Sequence, residues 1–514
     1  MTRRNISEFR RLKLNFVLFL NADEIIDTAM MDTTQTRPLP LSELPVYDSR
    51  YYLGSLLFFF LYFIFAIRTD FIIATIVWLA VPLLICFLYY LFRIPGLAIG
   101  LMIAATSLDV VGRLTPEGMS IPITIFHLMY FISLIILVLK KLWEGKIKLN
   151  GTRIDLPLVL FLSLILITIF WSRDHQEAFI SFGRLVALIL AMYVTLNLID
   201  SKSGLKLVLI LLFIPALALS AYSGREFLTS SAVEVKNALS MFKLFSRFGA
   251  TFANPNYFAT FLLLPLCVAF SALAFLKMQL WKRILLFLVP IGIMGVAFVG
   301  TFSRSAWVAL FFSYLIIFSY FKHKKYWVLA ISVVAISAAV VLFQTAFFQS
   351  FVLRFASIFE GKADPSSATR IFLINGGIQM FLDSWFLGVG FESFPIEYLK
   401  YIPHNQSLGY VHECHTLPIE ILAELGILGI SIFGIIIHRI LKIGFLSIRT
   451  IEDNFLKTMQ IGFVAFFVGI LINYLFMPDG ILNNLIWIGI GIIFSIAKMT
   501  RVPLESDQVK LVEN

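Results

Sequence analysis

Three of the seven histidines in this chain fall in one short stretch: His404, His412 and His415. An imidazole changes charge near neutral pH, so histidines suit proton transfer or metal binding. The run His412-Glu413-Cys414-His415 invites a zinc reading. A helical zinc protease motif needs two histidines four apart, so that both face the metal from one side of a helix. Here they stand three apart with the glutamate beside a cysteine, and neither a metal nor another cofactor is expected. Proton transfer stays open, beside a purely structural role as a helix-capping histidine next to a glutamate that orders the bundle. His415 suits proton transfer best, because it stands at the mouth of an apolar run that carries Glu420 and Glu424. Glu424 is costly inside such a run unless paired, and an outer-face arginine is its expected partner.

Arginines form the second group of candidates. Arg184 interrupts Ser-Phe-Gly-Arg-Leu-Val-Ala-Leu, and Arg304 sits in Gly-Thr-Phe-Ser-Arg-Ser-Ala-Trp. Arg247 precedes Phe-Gly-Ala-Thr-Phe-Ala-Asn-Pro-Asn, and Arg370 lies in a long polar-to-apolar segment. A guanidinium offers a planar fork that matches phosphate and diphosphate, which an ammonium does not. A charge at the lip of an apolar run reads first as functional, with snorkelling to lipid headgroups as the bland alternative.

The elements that must hold these side chains are membrane helices. The chain has 514 residues, 59% hydrophobic and 14% charged, with a mean hydropathy of +0.90. That is too few charges to clothe a soluble surface. Apolar runs of about 15 to 24 residues recur without alternation, which excludes a β-barrel and predicts helices crossing hydrocarbon. The fold class is all-α: a polytopic transmembrane helix bundle of about 12–14 spans with a large extracytoplasmic loop. The predicted order is a tail over 1–50, membrane helices over 51–222, and a second group over 223–343 with an arginine-bearing outer loop. A large loop over 344–415, helices over 416–497 and a tail over 498–514 complete it. The run at 94–108 is short and opens Ile-Pro-Gly, so a re-entrant or half-helix is open there. The first tail has the charge of a signal peptide but no cleavage site, and suits an interfacial amphipathic helix. Within the large loop, Ala368–Leu382 has the spacing of an amphipathic helix on the membrane face.

Charge orients the bundle. With both termini inside, 28 Lys and Arg fall on inner segments and 13 on outer ones, as the positive-inside rule requires. Inner positions comprise 12 Arg and 16 Lys, whereas outer positions comprise nine Arg and four Lys. Lysine suffices for topology, so the outer arginine bias is what points to an anionic ligand. The net charge of +10 is therefore no sign of nucleic acid. The three cysteines, Cys86, Cys267 and Cys414, make no disulfide framework.

Four of these stretches, in this order, resemble the O-antigen ligase and polymerase superfamily of bacterial membrane glycosyltransferases. They are Arg247 through Asn254-Pro255-Asn256, Gly300 through Ser303-Arg304, Arg370 through Gly388-Val389-Gly390, and His415 through Ala423-Glu424-Leu425-Gly426. The resemblance implies transfer of a glycan from an undecaprenyl diphosphate lipid to an acceptor hydroxyl on an acceptor glycan or lipid. Transfer would occur at the outer face of the cytoplasmic (inner) membrane, with a multi-pass chain that is N-in and C-in, and without metal. It implies His415 as base, Arg247 and Arg304 as the leading diphosphate ligands, Arg184 and Arg370 next, and Glu424 beside them. Partners would be the lipid-linked glycan, the acceptor and the bilayer, with no nucleic acid. The rival reading is a transporter of polysaccharide or a lipid-linked substrate, which would place polar groups near the membrane midplane in repeated halves.

Overall fold

The computed structural model describes residues 71–108, 111–115, 123–145, 148–229, 247–321, 365–401, 414–477 and 480–500. The first tail, the expected spans at 51–67 and 326–343, His404, His412 and most of the last tail lie outside these residues. Two compact units divide the chain, Met1–Cys86 and Phe87–Asn514, and the site described below belongs to the second.

The helices, in order, are α1 (Phe71–Arg93), α2 (Pro95–Ala105), α3 (Ile125–Trp143), α4 (Asp155–Thr168, running on as a tight turn to Trp171), α5 (His175–Leu198) and α6 (Lys202–Thr229). There follow α7 (Pro255–Phe275), α8 (Leu280–Gly300), α9 (Arg304–Ser319), α10 (Pro365–Asp383) and the single turn α11 (Phe394–Glu397). The last three are α12 (Leu417–Thr450), α13 (Asn454–Asn473) and α14 (Asn484–Met499). Among the described residues seven helices are long and apolar enough to cross a membrane, and the fold is an all-α polytopic bundle. The chain bends through 108° between α1 and α2, so the Ile-Pro-Gly signal marks a break in helix direction. Pro95 opens α2, where its missing N–H costs nothing.

Capping residues set the starts of the helices. Asn254 Oδ1 accepts from Asn256 N ahead of α7, Asp174 from Glu177 N ahead of α5, and Asp453 from Leu456 N ahead of α13. Each occupies a donor that the first turn leaves without a helical partner. α7 and α13 are the most enclosed of the seven, and α13 packs between α7 and α9. Hydropathy stops α12 at residue 437, yet the helix continues to Thr450. A hydropathy window reads where charge begins, at His438 and Arg439, and not where the backbone ladder ends.

Loop contacts sort to two ends. At one end Lys140 pairs with Asp200 at 2.9 Å, Lys202 with Asp453 at 2.5 Å, and Lys498 Nζ donates to Leu196 O at 2.5 Å. At the other end the segments near Ser107, Trp171, Arg247, Thr301, Gly388, His415 and Tyr474 meet. This is the alternation that the charge-based orientation requires, and the second end is the one it assigns to the outside.

Candidate active site

At the end opposite the Lys140–Asp200 and Lys202–Asp453 pairs, α12 is broken. Gly426 takes φ +64° and ψ −163°, which splits off a half-helix, Leu417–Leu425. The break frees backbone groups, and the segment Trp385–Gly390 fills them: Ile427 N donates to Trp385 O at 2.9 Å. In return Val389 N donates to Ala423 O at 2.9 Å and Gly390 N to Glu424 O at 3.0 Å. Only glycine allows so close an approach. A Cβ on Gly388 would lie 2.2 Å from the Glu424 carbonyl carbon, and one on Gly426 would lie 2.4 Å from Phe386 O. The expected glycine turn is thus half of a backbone clasp whose other half is Ala423-Glu424-Leu425-Gly426.

Glu424 is 5% exposed, and its Oε1 accepts from Phe394 N at 2.9 Å. A backbone N–H therefore takes the place of the arginine partner expected from sequence. Arginine acts one step away: Arg173, just beyond α4, holds Glu397 of α11, which Lys400 grips from the other side. Burial raises the pKa of this carboxyl. The hydrogen bonds and charges of Lys400 and Arg173 outweigh that and leave it below the usual carboxylate range. Ser172 Oγ donates to Phe391 O at 2.7 Å and Arg173 N to Ser393 Oγ at 3.0 Å, so the end of α4 also joins the clasp. Beneath the half-helix lies a cavity of about 30 Å³, lined by Phe391, Glu392, Leu417, Glu420, Ile421, Glu424, Leu425 and residues 480–482. It has room for water but not for a sugar ring.

Arg247 lies at the junction of two of the four resembling stretches. Its Nε donates to Thr301 O at 2.8 Å and its Nη2 to Asn256 Oδ1 at 2.6 Å. Phe248 N donates to Gly300 O at 3.1 Å. The first stretch is therefore bonded to the turn Thr301–Ser303, and Arg304, half-buried, is the first residue of the helix that follows. From Arg247 a run of hydrogen bonds leads to the histidine. Thr260 Oγ1 donates to Asn256 O at 2.9 Å, and Asn473 Nδ2 to Thr260 Oγ1 at 2.8 Å. Leu417 N then donates to Tyr474 O at 3.0 Å, two residues beyond His415. Arg247, Arg304 and His415 thus share one end of the bundle through three connected helix starts and ends.

The backbone at this end is strained. Four non-glycine residues have positive φ among those described: Ala250 (+50°), Phe302 (+51°), Glu392 (+58°) and His415 (+57°). Each belongs to a segment just described. Such conformations cost on the order of 1–3 kcal/mol apiece and persist where surrounding structure fixes them, often at functional sites. His415 is half-buried with its Nδ1 shielded from solvent. Cys414 beside it is wholly buried against Leu373, Met380 and Ala423.

Arg184 and Arg370 have other surroundings. Arg184 pairs with Glu177 at 3.6 Å, one turn beyond helical neighbours on α5. Arg370 is half-buried near the start of α10. Sequence reasoning passed over Arg173, Glu397, Asn256 and Asn473. Arg173 stood in the outer arginine count without an apolar setting. Asn256 lay inside a quoted stretch, where its own capping turn hides its part in orienting Arg247.

A polytopic helical membrane protein with two arginines and a strained histidine at one end of its bundle is the class defined so far. Residues 289–434 match the family model described as O-antigen ligase, and this match supports the resemblance of that stretch to the O-antigen ligase/polymerase superfamily. The match includes Arg304, Arg370, His415, Glu424 and both halves of the clasp; Arg184 and Arg247 precede it. No curated protein matches the chain.

Proposed function

We propose that this chain is a glycosyltransferase that moves a glycan from undecaprenyl diphosphate to an acceptor hydroxyl at the outer face of the inner membrane. The observation that carries this reading is the bonding of Arg247 to the Thr301 turn that leads into Arg304, together with the hydrogen-bonded path from Arg247 to the segment after His415. Two guanidinium groups and an imidazole are what the reaction needs. The His415 imidazole takes the proton of the acceptor hydroxyl, and that oxygen attacks the anomeric carbon. The bond from that carbon to the diphosphate oxygen breaks, and its electron pair leaves with the diphosphate. Arg247 and Arg304 stabilise the charge that develops there. Direct attack inverts the anomeric configuration, and a product of retained configuration overturns the single-step scheme.

Ligase and polymerase chemistry would use the same groups, since only the acceptor differs. The mass of the product formed from a lipid-linked glycan in reconstituted vesicles, by wild type and by His415→Ala, identifies the acceptor and tests the base together. A second reading, transport of the lipid-linked glycan, draws support from the break at Gly426, because transporters use discontinuous helices. In the same vesicles a chain that moves the substrate across the bilayer without forming product establishes transport and rejects transfer.

A further inference from the structure

Counted from sequence, residues 344–415 form an extracytoplasmic loop, but part of it is bonded deep in the bundle. Arg439 of α12 donates to Arg153 O at the end that carries the basic inner loops. His438 and Lys442 beside it are exposed, so hydrocarbon begins above this level. Ile427 is twelve residues further along α12, which is about 18 Å at 1.5 Å per residue. The hydrocarbon layer is about 30 Å thick. Trp385, whose carbonyl is held by Ile427 N, therefore lies within the outer half of the bilayer.

The packing of α10 agrees with that depth. Its inward face is Leu373 and Met380, both fully buried, with Gly377 against Ile419 of the half-helix. On the opposite face Ile371, Ile378 and Leu382 are 56%, 39% and 65% exposed. Spacings of seven and four residues put these three in one stripe along the helix. The stripe continues into Trp385 and Phe386, 59% and 48% exposed. No charged residue occurs from Ser384 to Phe391. Trp171 Nε1 donates to Gly388 O at 3.3 Å, so this surface runs on into the exposed aromatic end of membrane helix α4. Aromatic rings at such a level are the usual anchors of a membrane interface.

We propose that the C-terminal part of α10 and the Trp385–Phe386 turn are inserted among the acyl chains of the outer leaflet, forming a membrane-embedded hairpin. The helix then stands between the half-helix Leu417–Leu425 and the lipid. Exposed Asn375 interrupts the stripe between Ile371 and Ile378 and exposed Gln379 borders it, while on the flank Asp383 Oδ2 accepts from Tyr401 Oη at 2.6 Å.

Spin labels on single cysteines test this in vesicles of phosphatidylethanolamine and phosphatidylglycerol. Leu382→Cys, Ile378→Cys and Asp383→Cys are each made in a Cys86→Ser background, which removes the exposed native thiol. Labels at 382 and 378 are expected to collide with oxygen several-fold more than with a water-soluble nickel complex, and the label at 383 to show the reverse. Nickel access at 382 equal to that at 383 overturns the proposal, whether water or a protein partner covers the stripe. Should a labelled variant fail to fold, Trp385→Phe serves instead. It is expected to lower the share of tryptophan fluorescence quenched by lipids brominated on their acyl chains, and an unchanged share overturns insertion.

Discussion

His415 combines two demands that conflict in most residues: a titratable ring and a backbone at φ +57°. Asparagine also tolerates the left-handed region but cannot act as a base. His415→Asn is therefore expected to fold with near-native stability while turnover falls by about a hundred- to ten-thousandfold, the share a positioned base contributes. Equal loss of stability and activity would make His415 only a turn residue. Arg247 makes a different demand. Its Nε and Nη2 reach Thr301 O and Asn256 Oδ1 together, and a lysine ammonium, one donor atom on a flexible stem, does not reproduce that planar fork. Arg247→Lys keeps the charge but loses the fixed fork, so kcat is expected to fall on the order of tenfold to a hundredfold with thermal stability little changed. Steady-state kinetics on a lipid-linked glycan, with a thermal melt in detergent, reads both.

Among the elements, the clasp between Trp385–Gly390 and the break in α12 is the most constrained. Gly388 has φ +74°, and a Cβ there would meet Glu424 C, Glu424 O and Leu425 N within 2.5 Å. Backbone cannot retreat as a side-chain tip can. Gly388→Ala is expected to release the segment, seen as new protease cleavage within 385–401 and lost transfer. The Glu397 anchor adds a pH dependence. Its folded pKa is depressed, so the stability it contributes is present above the unfolded value of about 4.3 and fades as pH falls through the lower folded value. Proteolysis between pH 3 and 7 is expected to show wild type loosening only at the acid end. Glu397→Gln should be looser at neutral pH and nearly flat below it. Little of this element could be read in the residues alone. Hydrophobic spacing marks α10, with Ala368–Leu382 expected and Pro365–Asp383 observed. The clasp depends on contacts between residues more than thirty apart, for which spacing carries no signal. The Arg173–Glu397 pair is hidden for the same reason, since each residue alone looks like an ordinary loop charge.

At the scale of the whole molecule, burial and charge act along different directions. Apolar length fixes where helices cross, and the short run expected at 94–108 is met by α2 and the tight turn Thr106–Leu108 that follows it. The exception is α12, which runs past residue 437 to Thr450, where the helix carries His438 and Arg439 and hydropathy no longer tracks it. Charge fixes which end is which. Lysines pair at the end holding Asp200 and Asp453, whereas Arg247 and Arg304 lie at the other, where topology gives no reason for arginine. The expected sidedness follows from this asymmetry. With Cys86→Ser as the parent, a membrane-impermeant maleimide on intact cells should label Gln176→Cys, in the exposed first turn of α5. It should label Lys282→Cys, in the exposed first turn of α8, only after the cells are opened. The opposite pattern would put the arginines and His415 in the cytoplasm and remove the acceptor surface from reach. Labelling of both sites in intact cells would mean that charge does not set a single orientation. The positive-inside bias of 28 to 13 argues against either result, because most short inner loops are basic and each pulls the chain the same way.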